Sequence, residues 1–345
     1  MFKIAKFKKY TKNILIFLPI FILLYNNGSN LYGYSETLYL DPLGDISGEE
    51  WIKESPLQFF IGYAINPFIN NTFVTHWIIV VFGFVYLYFS MYLFDIKKFH
   101  GKEISKILYF TPFFLILFTW MGKPDTFTVG SLFYLVVFNN NLALHFIFVL
   151  VLIFSHPQVG LIYFLLIKYL KIFELKIYHF LTISIGYVFY FIYYIQLNSF
   201  QSRFDVITSE LDRMFKTIFT NTLGGFISLF MWLWIVIFLS EMIKDKKFLY
   251  SFLFIFLISF HTIDHTRIFT LLAVPIILYL VTNKNFLDAF ENIFDKKIMY
   301  FLGIFQIQKR ADGRIVDGVN FYNLEFFNNL IDLYLQSVNN FLERF

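Results

Sequence analysis

Four stretches carry the residues best suited to chemistry. The first reads Leu40-Asp41-Pro42-Leu43-Gly44-Asp45-Ile46-Ser47-Gly48-Glu49-Glu50-Trp51. Its proline and glycines work against a helix, so it is expected to fold as a loop. A folded loop rich in carboxylates can hold a general base or a divalent cation; the competing reading is a solvated acidic loop. The second is Gly122-Lys123-Pro124-Asp125. Asp125 suits the N-cap or first turn of a helix starting at Thr126, and with Lys123 it can also bind a charged head group. The third is Ser155-His156-Pro157-Gln158, in which His156 serves either as a helix-end hydrogen bonder or as a site residue. The fourth, His261-Thr262-Ile263-Asp264-His265-Thr266-Arg267, is the densest. Asp264 and Arg267 are three apart and would share a helix face as an ion pair. His261 and His265, four apart, could ligate a metal, although no third ligand lies nearby. Arg267 offers the planar fork of donors that phosphate or pyrophosphate accepts.

Other groups carry less. His76, His145 and His179 fall within or at the ends of apolar runs, where a helix-to-helix hydrogen bond is the expected role. Cysteine is absent, which removes disulfides and thiolate chemistry. No apolar run has a charge at its centre. That argues against a proton pump, an acidic-midplane channel or a voltage sensor.

The elements that must position these stretches are apolar. Of 345 residues, 58% are hydrophobic, 51 are Phe and 15% are charged, against about 25% charged in an ordinary soluble domain. Mean hydropathy is +0.63. So much apolar surface excludes a soluble enzyme, a disordered chain and a nucleic-acid binder, and points to lipid. Apolar runs lie at 13–25, 73–94, 105–121, 126–138, 142–154, 158–173, 178–195, 224–243, 248–260 and 268–282. The expected fold is therefore all-α: a polytopic membrane bundle of about ten transmembrane helices over 1–282, with a long first outer loop at 26–72. A cytoplasmic tail with interfacial helices would follow over 283–345.

Sidedness comes from the lysines. The first run follows Lys3, Lys6, Lys8, Lys9 and Lys12, and no small-x-small cleavage site comes after it, so it reads as an uncleaved helix with its basic end in the cytoplasm. Alternation then leaves only Lys53, Lys123, Arg203, Arg213, Lys216 and Arg267 outside. The other 22 of 28 basic residues fall inside when the tail is counted there, and both termini are cytoplasmic. This holds only if Asn139-Asn140-Asn141 is a tight turn between two helices; a kink in one long helix would invert every later loop. The segment Pro56 to Phe68, broken by Gly62 and Pro67, reads as an interfacial or re-entrant helix, and 196–223 reads as an amphipathic outer loop.

Many spans, an acid-bearing first outer loop, short polar outer turns and a late outer turn with Arg267 resemble the GT-C superfamily of membrane glycosyltransferases. The layout is also similar to the bacterial EpsG and Wzy polysaccharide polymerases. The only adjacent acidic pair in loop one is Glu49-Glu50, and Asp41 and Asp45 are separated by three residues. The resemblance implies a polyprenyl-phosphate sugar donor, a glycan acceptor, an outward-facing site in a bacterial inner membrane and a carboxylate base. On that basis Asp41 or Asp45 is the expected base, with Glu49 and Glu50 in support. Lys123 and Arg267 are expected at the departing phosphate, and Asp125, His156, His261, Asp264 and His265 at the substrate. No cofactor is called for beyond a divalent cation in the acidic loop. The competing class is a transporter or flippase for a lipid or saccharide. Convergence of the outer turns on one cavity would set an enzyme apart from a membrane scaffold.

Overall fold

The computed structural model describes residues 36–44, 50–119, 123–197, 222–260, 265–294, 307–309 and 315–317. The first apolar run with its lysines, most of the loop 196–223, and Asp45, Glu49, His261 and Asp264 lie outside the described residues.

A helical turn at 36–40 and a 3-10 turn, Glu50–Glu54, lead into α1, Leu57–Ile69. Thus the apolar second half of loop one is helical, as its pattern implies, with Pro67 in the last turn and Asn70 closing it in the left-handed region at φ 53°. Asn71 then starts α2, Thr72–Lys97, its side chain accepting from the Val74 amide at 3.1 Å. There follow α3, Ile104–Tyr109; α4, Phe113–Thr119; α5, Asp125–Val137; α6, Leu142–Ser155; α7, Pro157–Leu170; and α8, Ile177–Ile195. The series continues with α9, Thr222–Phe230; α10, Leu233–Leu239; α11, Lys246–Phe260; α12, His265–Leu280; and α13, Lys284–Phe294. Two short strands, β1 at Ile307–Lys309 and β2 at Ile315–Asp317, pair antiparallel with Gln308 opposite Val316.

Several expected spans differ from these helices. The run 105–121 is two helices, because Pro112 lacks an amide proton and Thr111 turns its hydroxyl onto the Leu108 carbonyl at 2.7 Å. The run 224–243 is also two, broken at Met231, whose φ is +50°. Among the described residues only α2, with 26 residues, and α8, with 19, are long and apolar enough to cross a membrane. The bent pair Thr266–Leu280 and Lys284–Ile293, meeting at 104°, makes at most a third. At 13 to 14 residues, α5, α6 and α7 extend about 20 Å, short of a hydrocarbon core of about 30 Å. Among the described residues, lengths alone account for two or three of the ten crossings expected. The apolar surface fits lipid all the same: α8 exposes Phe180, Leu181, Val188, Phe191, Ile192 and Ile195, and α2 exposes Val81, Phe82 and Val85.

The bundle has two distinct ends. At the first, Thr128 on α5 donates to Ser155 at the end of α6 (3.1 Å), Ser228 on α9 bonds Thr266 on α12 (3.0 Å), and Tyr187 on α8 donates to the Pro157 carbonyl (2.7 Å). At the second, Tyr178 and His179 both reach the Asn139 carbonyl, at 2.8 and 2.7 Å. There too Tyr279 donates to Asp245 at 2.9 Å, and Lys102 meets Glu291 on α13 at 2.6 Å. Successive helices thus alternate in direction. Asn141 caps α6 by accepting from the Leu144 amide at 3.1 Å, which makes 139–141 a turn rather than a kink. Among the described residues, Lys97, Lys168, Lys171, Lys176, Lys246 and Lys247 sit at the second end, while Lys53, Lys123 and Arg267 sit at the first. The tail divides: α13 lies at the second end, but β1 packs against α9 and α12.

Close backbone approach sets the geometry of the first end. At the α2–α5 crossing a methyl on Gly130 would stand 2.6 Å from the Tyr86 ring and 3.3 Å from the Leu87 Cα, and one on Gly83 would run into the Thr126 hydroxyl. Tyr86 also bonds Ser131 at 2.9 Å. The core below is fully buried, with Leu132, Phe133, Val149, Leu152, Ile167 and Leu271 at its centre.

Candidate functional site

Asp125 opens α5, and Arg267 lies in the first turn of α12. Arg267 Nε donates to Asp125 Oδ2 at 2.8 Å, and Nη2 donates to Oδ1 at 2.7 Å. The two side chains are 7% and 1% exposed. This is a planar, two-bonded ion pair across 142 residues of chain, buried at the first end of the bundle. Asp125 lies in the first turn of α5, one of the two places expected for it, and Pro124 stands at the cap position without a side-chain bond. The Arg267 edge expected at a donor phosphate is closed on Asp125, because a buried guanidinium needs a matched anion more than an open position. Asp264, the neighbour expected to pair with it, is outside the described residues, and so is the side chain of His265.

Two other residues from these turns join the pair. Lys123 and the buried His156 both act electrostatically on the Asp125 carboxylate. Lys123, Asp125 and Thr126 then line a narrow cleft. Its opposite wall is Tyr39, Gln58 and His76; Ile79, Val80, Phe84, Leu117 and Phe127 make it apolar. The Tyr39 hydroxyl and His76 Nδ1 are 2.7 Å apart, both residues buried. Gly62 on α1 lies directly against the Tyr39 ring, leaving no room for a Cβ.

Loop one enters the site through residues other than those expected. Asp41 is exposed, and its Oδ1 accepts from the Leu43 amide at 3.0 Å, closing its own turn rather than facing the cleft. Asp41 is not among the residues that line the cleft. The side chains of Asp45, Glu49 and Glu50 are outside the described residues, though Glu50 begins the 3-10 turn. Instead Lys53, Glu54 and Gln58 are buried. Glu54 accepts from Gln158 at 3.0 Å, which ties loop one to the His156 turn. Three tyrosines of α8 hold the same region. Tyr193 donates to the Lys53 carbonyl (2.9 Å), Tyr190 to that of Glu54 (3.1 Å) and Tyr187 to that of Pro157 (2.7 Å). Their spacing of three puts them on one helix face, a signal visible in the sequence as tyrosines repeating within an apolar run.

The histidines of the apolar runs behave mostly as expected. His76 bonds Tyr39, and His179 bonds the Asn139 carbonyl and accepts from the Lys176 amide at 2.7 Å. His145 instead packs its ring edge-on against His179 at 4.4 Å between centroids, with no hydrogen bond to either nitrogen. Among the described residues no three His, Asp or Glu side chains group so as to hold a metal ion. The described end of the bundle can thus offer a cation at the mouth of a half-apolar cleft, an imidazole–phenol pair in its wall and a buried ion pair behind it. Comparison with protein-family models, with curated proteins and with solved structures returns no match to this chain.

Proposed function

We propose that the chain is an integral-membrane glycosyltransferase that uses a polyprenyl-phosphate-linked sugar on the outer face of a bacterial inner membrane, in cell-surface glycan assembly. One observation carries this reading: loop one, the 122–125 turn, the 156–158 turn and the start of α12 converge at one end of the bundle. The cleft beside the 123–125 turn mixes polar groups (Lys123, Asp125, Tyr39, Gln58, His76) with apolar ones, which suits a ligand that is half phosphate sugar and half isoprenoid. Glycosyl transfer needs positive charge at the departing phosphate, and Lys123 is the cation in the cleft wall. Arg267 contributes by fixing Asp125 rather than by touching phosphate. In this reading the short helices cross in pairs within a locally thinned bilayer, about ten crossings in all, with the lysine-rich end inside.

The test uses the purified full chain in lipid nanodiscs with a panel of polyprenyl-phosphate hexoses and N-acetylhexosamines. The reading expects acceptor-dependent release of polyprenyl phosphate, reduced in Lys123→Gln. Translocation of a fluorescent lipid-linked sugar across vesicles without cleavage would replace it with a flippase.

A further inference from the structure

The polar side chains that line the cleft are committed to the protein with one exception. Tyr39 and His76 bond one another at 2.7 Å, and Arg267 donates to both oxygens of Asp125. Lys123 acts on that same carboxylate, and Thr126 packs its hydroxyl against Gly83. Gln58 is the exception. It lines the cleft from the first turn of α1 and is 3% exposed, and its side-chain amide makes no hydrogen bond among the described residues. Neither atom of that amide is sealed from solvent, whereas His76 Nε2 is. The neighbouring side-chain amides are paired: Asn66 accepts from Thr75 at 3.2 Å, and Gln158 donates to Glu54 at 3.0 Å. Gln58 is also held in place. Phe59 beside it is fully buried, Gly62 lies against the Tyr39 ring, and Tyr190 and Tyr193 bond the Glu54 and Lys53 carbonyls just before the helix. A buried amide without a partner carries a desolvation cost that a ligand able to bond it removes.

We infer that Gln58 is the specificity-determining residue of the cleft and receives one hydroxyl of the sugar on the lipid-linked donor, an inference that rests on the glycosyltransferase reading. A carboxamide sets an acceptor oxygen beside two N–H donors, and a hydroxyl matches both because it donates and accepts. A phosphate or carboxylate would use only the donors, and a methylene neither. Size points the same way. The interior of the cleft has room for about one water molecule, hence for one hydroxyl, while the body of the ligand lies across the mouth. The hydroxyl belongs to the donor rather than the acceptor because Lys123, the cation proposed to face the phosphate, lines the same cleft, and phosphate and sugar are joined in one molecule. The cleft thus selects a donor with a free hydroxyl at one ring position and rejects one that carries hydrogen there.

The experiment measures kcat and KM for polyprenyl phosphate release by the native full chain and by Gln58→Met, a swap of similar length without the amide. The substrates are the most active donor of the panel and its monodeoxy analogues, one for each sugar hydroxyl. One deoxy position is expected to lower native kcat/KM about 10- to 100-fold, because it leaves the buried amide unmatched. Gln58→Met should lose about as much on the parent donor and should no longer tell that analogue from it, so the two losses do not multiply. Because the Gln58 amide bonds nothing in the protein, Gln58→Met should also unfold at the native midpoint or above it. Equal native turnover of the parent and every monodeoxy donor overturns the inference and leaves the glycosyltransferase reading in place. An undiminished penalty in Gln58→Met, or a penalty that follows a deoxy acceptor instead of the donor, does the same. A Gln58→Met chain that unfolds early or does not fold shows that the amide serves the fold, and the inference falls. No release by the native chain from any donor of the panel removes the reading and this inference together.

Discussion

The ion pair between α5 and α12 can be tested as a closed thermodynamic cycle. Arg267 and Asp125 are 7% and 1% exposed and share two hydrogen bonds of 2.7 and 2.8 Å. Removing either partner leaves the other charge buried without its match, which costs about 3–5 kcal/mol. Arg267→Met and Asp125→Leu should therefore each destabilise by that amount. The double variant removes both charges and keeps apolar volume, so its cost should fall within about 2 kcal/mol of native. The coupling energy is then at least about 4 kcal/mol. Arg267→Lys keeps the charge and loses the planar fork, an intermediate loss of about 1–3 kcal/mol. The assay is reversible unfolding of the full chain in mixed micelles, followed by circular dichroism at fixed lipid ratio. Little change in coupling on raising the salt is expected, because a buried pair is poorly screened. Single losses that simply add in the double variant, within about 0.5 kcal/mol, would refute the structural role argued for this pair.

Three further outcomes follow from the packing. Gly130→Ala drives a methyl to 2.6 Å from the Tyr86 ring and should cost about 1–3 kcal/mol in the same assay. Gly160→Ala meets nothing nearer than 3.4 Å and should be neutral or stabilise by up to about 1 kcal/mol; equal effects at the two sites would contradict the close α2–α5 crossing. Tyr190→Phe with Tyr193→Phe frees the carbonyls of Glu54 and Lys53 and should speed amide exchange across 50–58. Unchanged exchange would show that the tyrosine ladder does not hold loop one. An introduced cysteine at Asn70 should react with a membrane-impermeant reagent on intact cells, and one at Lys171 only after lysis, with no native cysteine to interfere. The reverse pattern would invert the proposed topology.

The fold was legible where side chains act locally. The turn at 139–141 followed from lysine sidedness, and Asn141 confirms it by capping α6. The helix over 57–69 was visible in the apolar pattern between Pro56 and Asn70. Pro112 marked a break that the apolar run 105–121 concealed, because hydropathy averages over a single missing donor. Met231 left no mark at all. A positive φ on an unbranched side chain is imposed by the packing of Phe230 and Trp234 on either side, not by any preference of methionine.

The site was legible locally, but its long-range wiring was not. The sequence-local partner expected for Arg267 was Asp264, which lies outside the described residues, whereas the carboxylate it meets in the structure is 142 residues away. Spacing rules rank neighbours along one helix; a bundle end ranks them by which carboxylate can meet both guanidinium nitrogens with water excluded. The same preference explains where Asp41 and His76 sit. Charge is costly at the membrane boundary and is tolerated there in pairs, so an acid such as Asp41 stays at the surface and closes its own turn. A neutral imidazole and a phenol satisfy one another at 2.7 Å without that cost, and so can line a buried cleft beside Lys123 that a lone carboxylate could enter only with a counter-ion, as Asp125 does with Arg267.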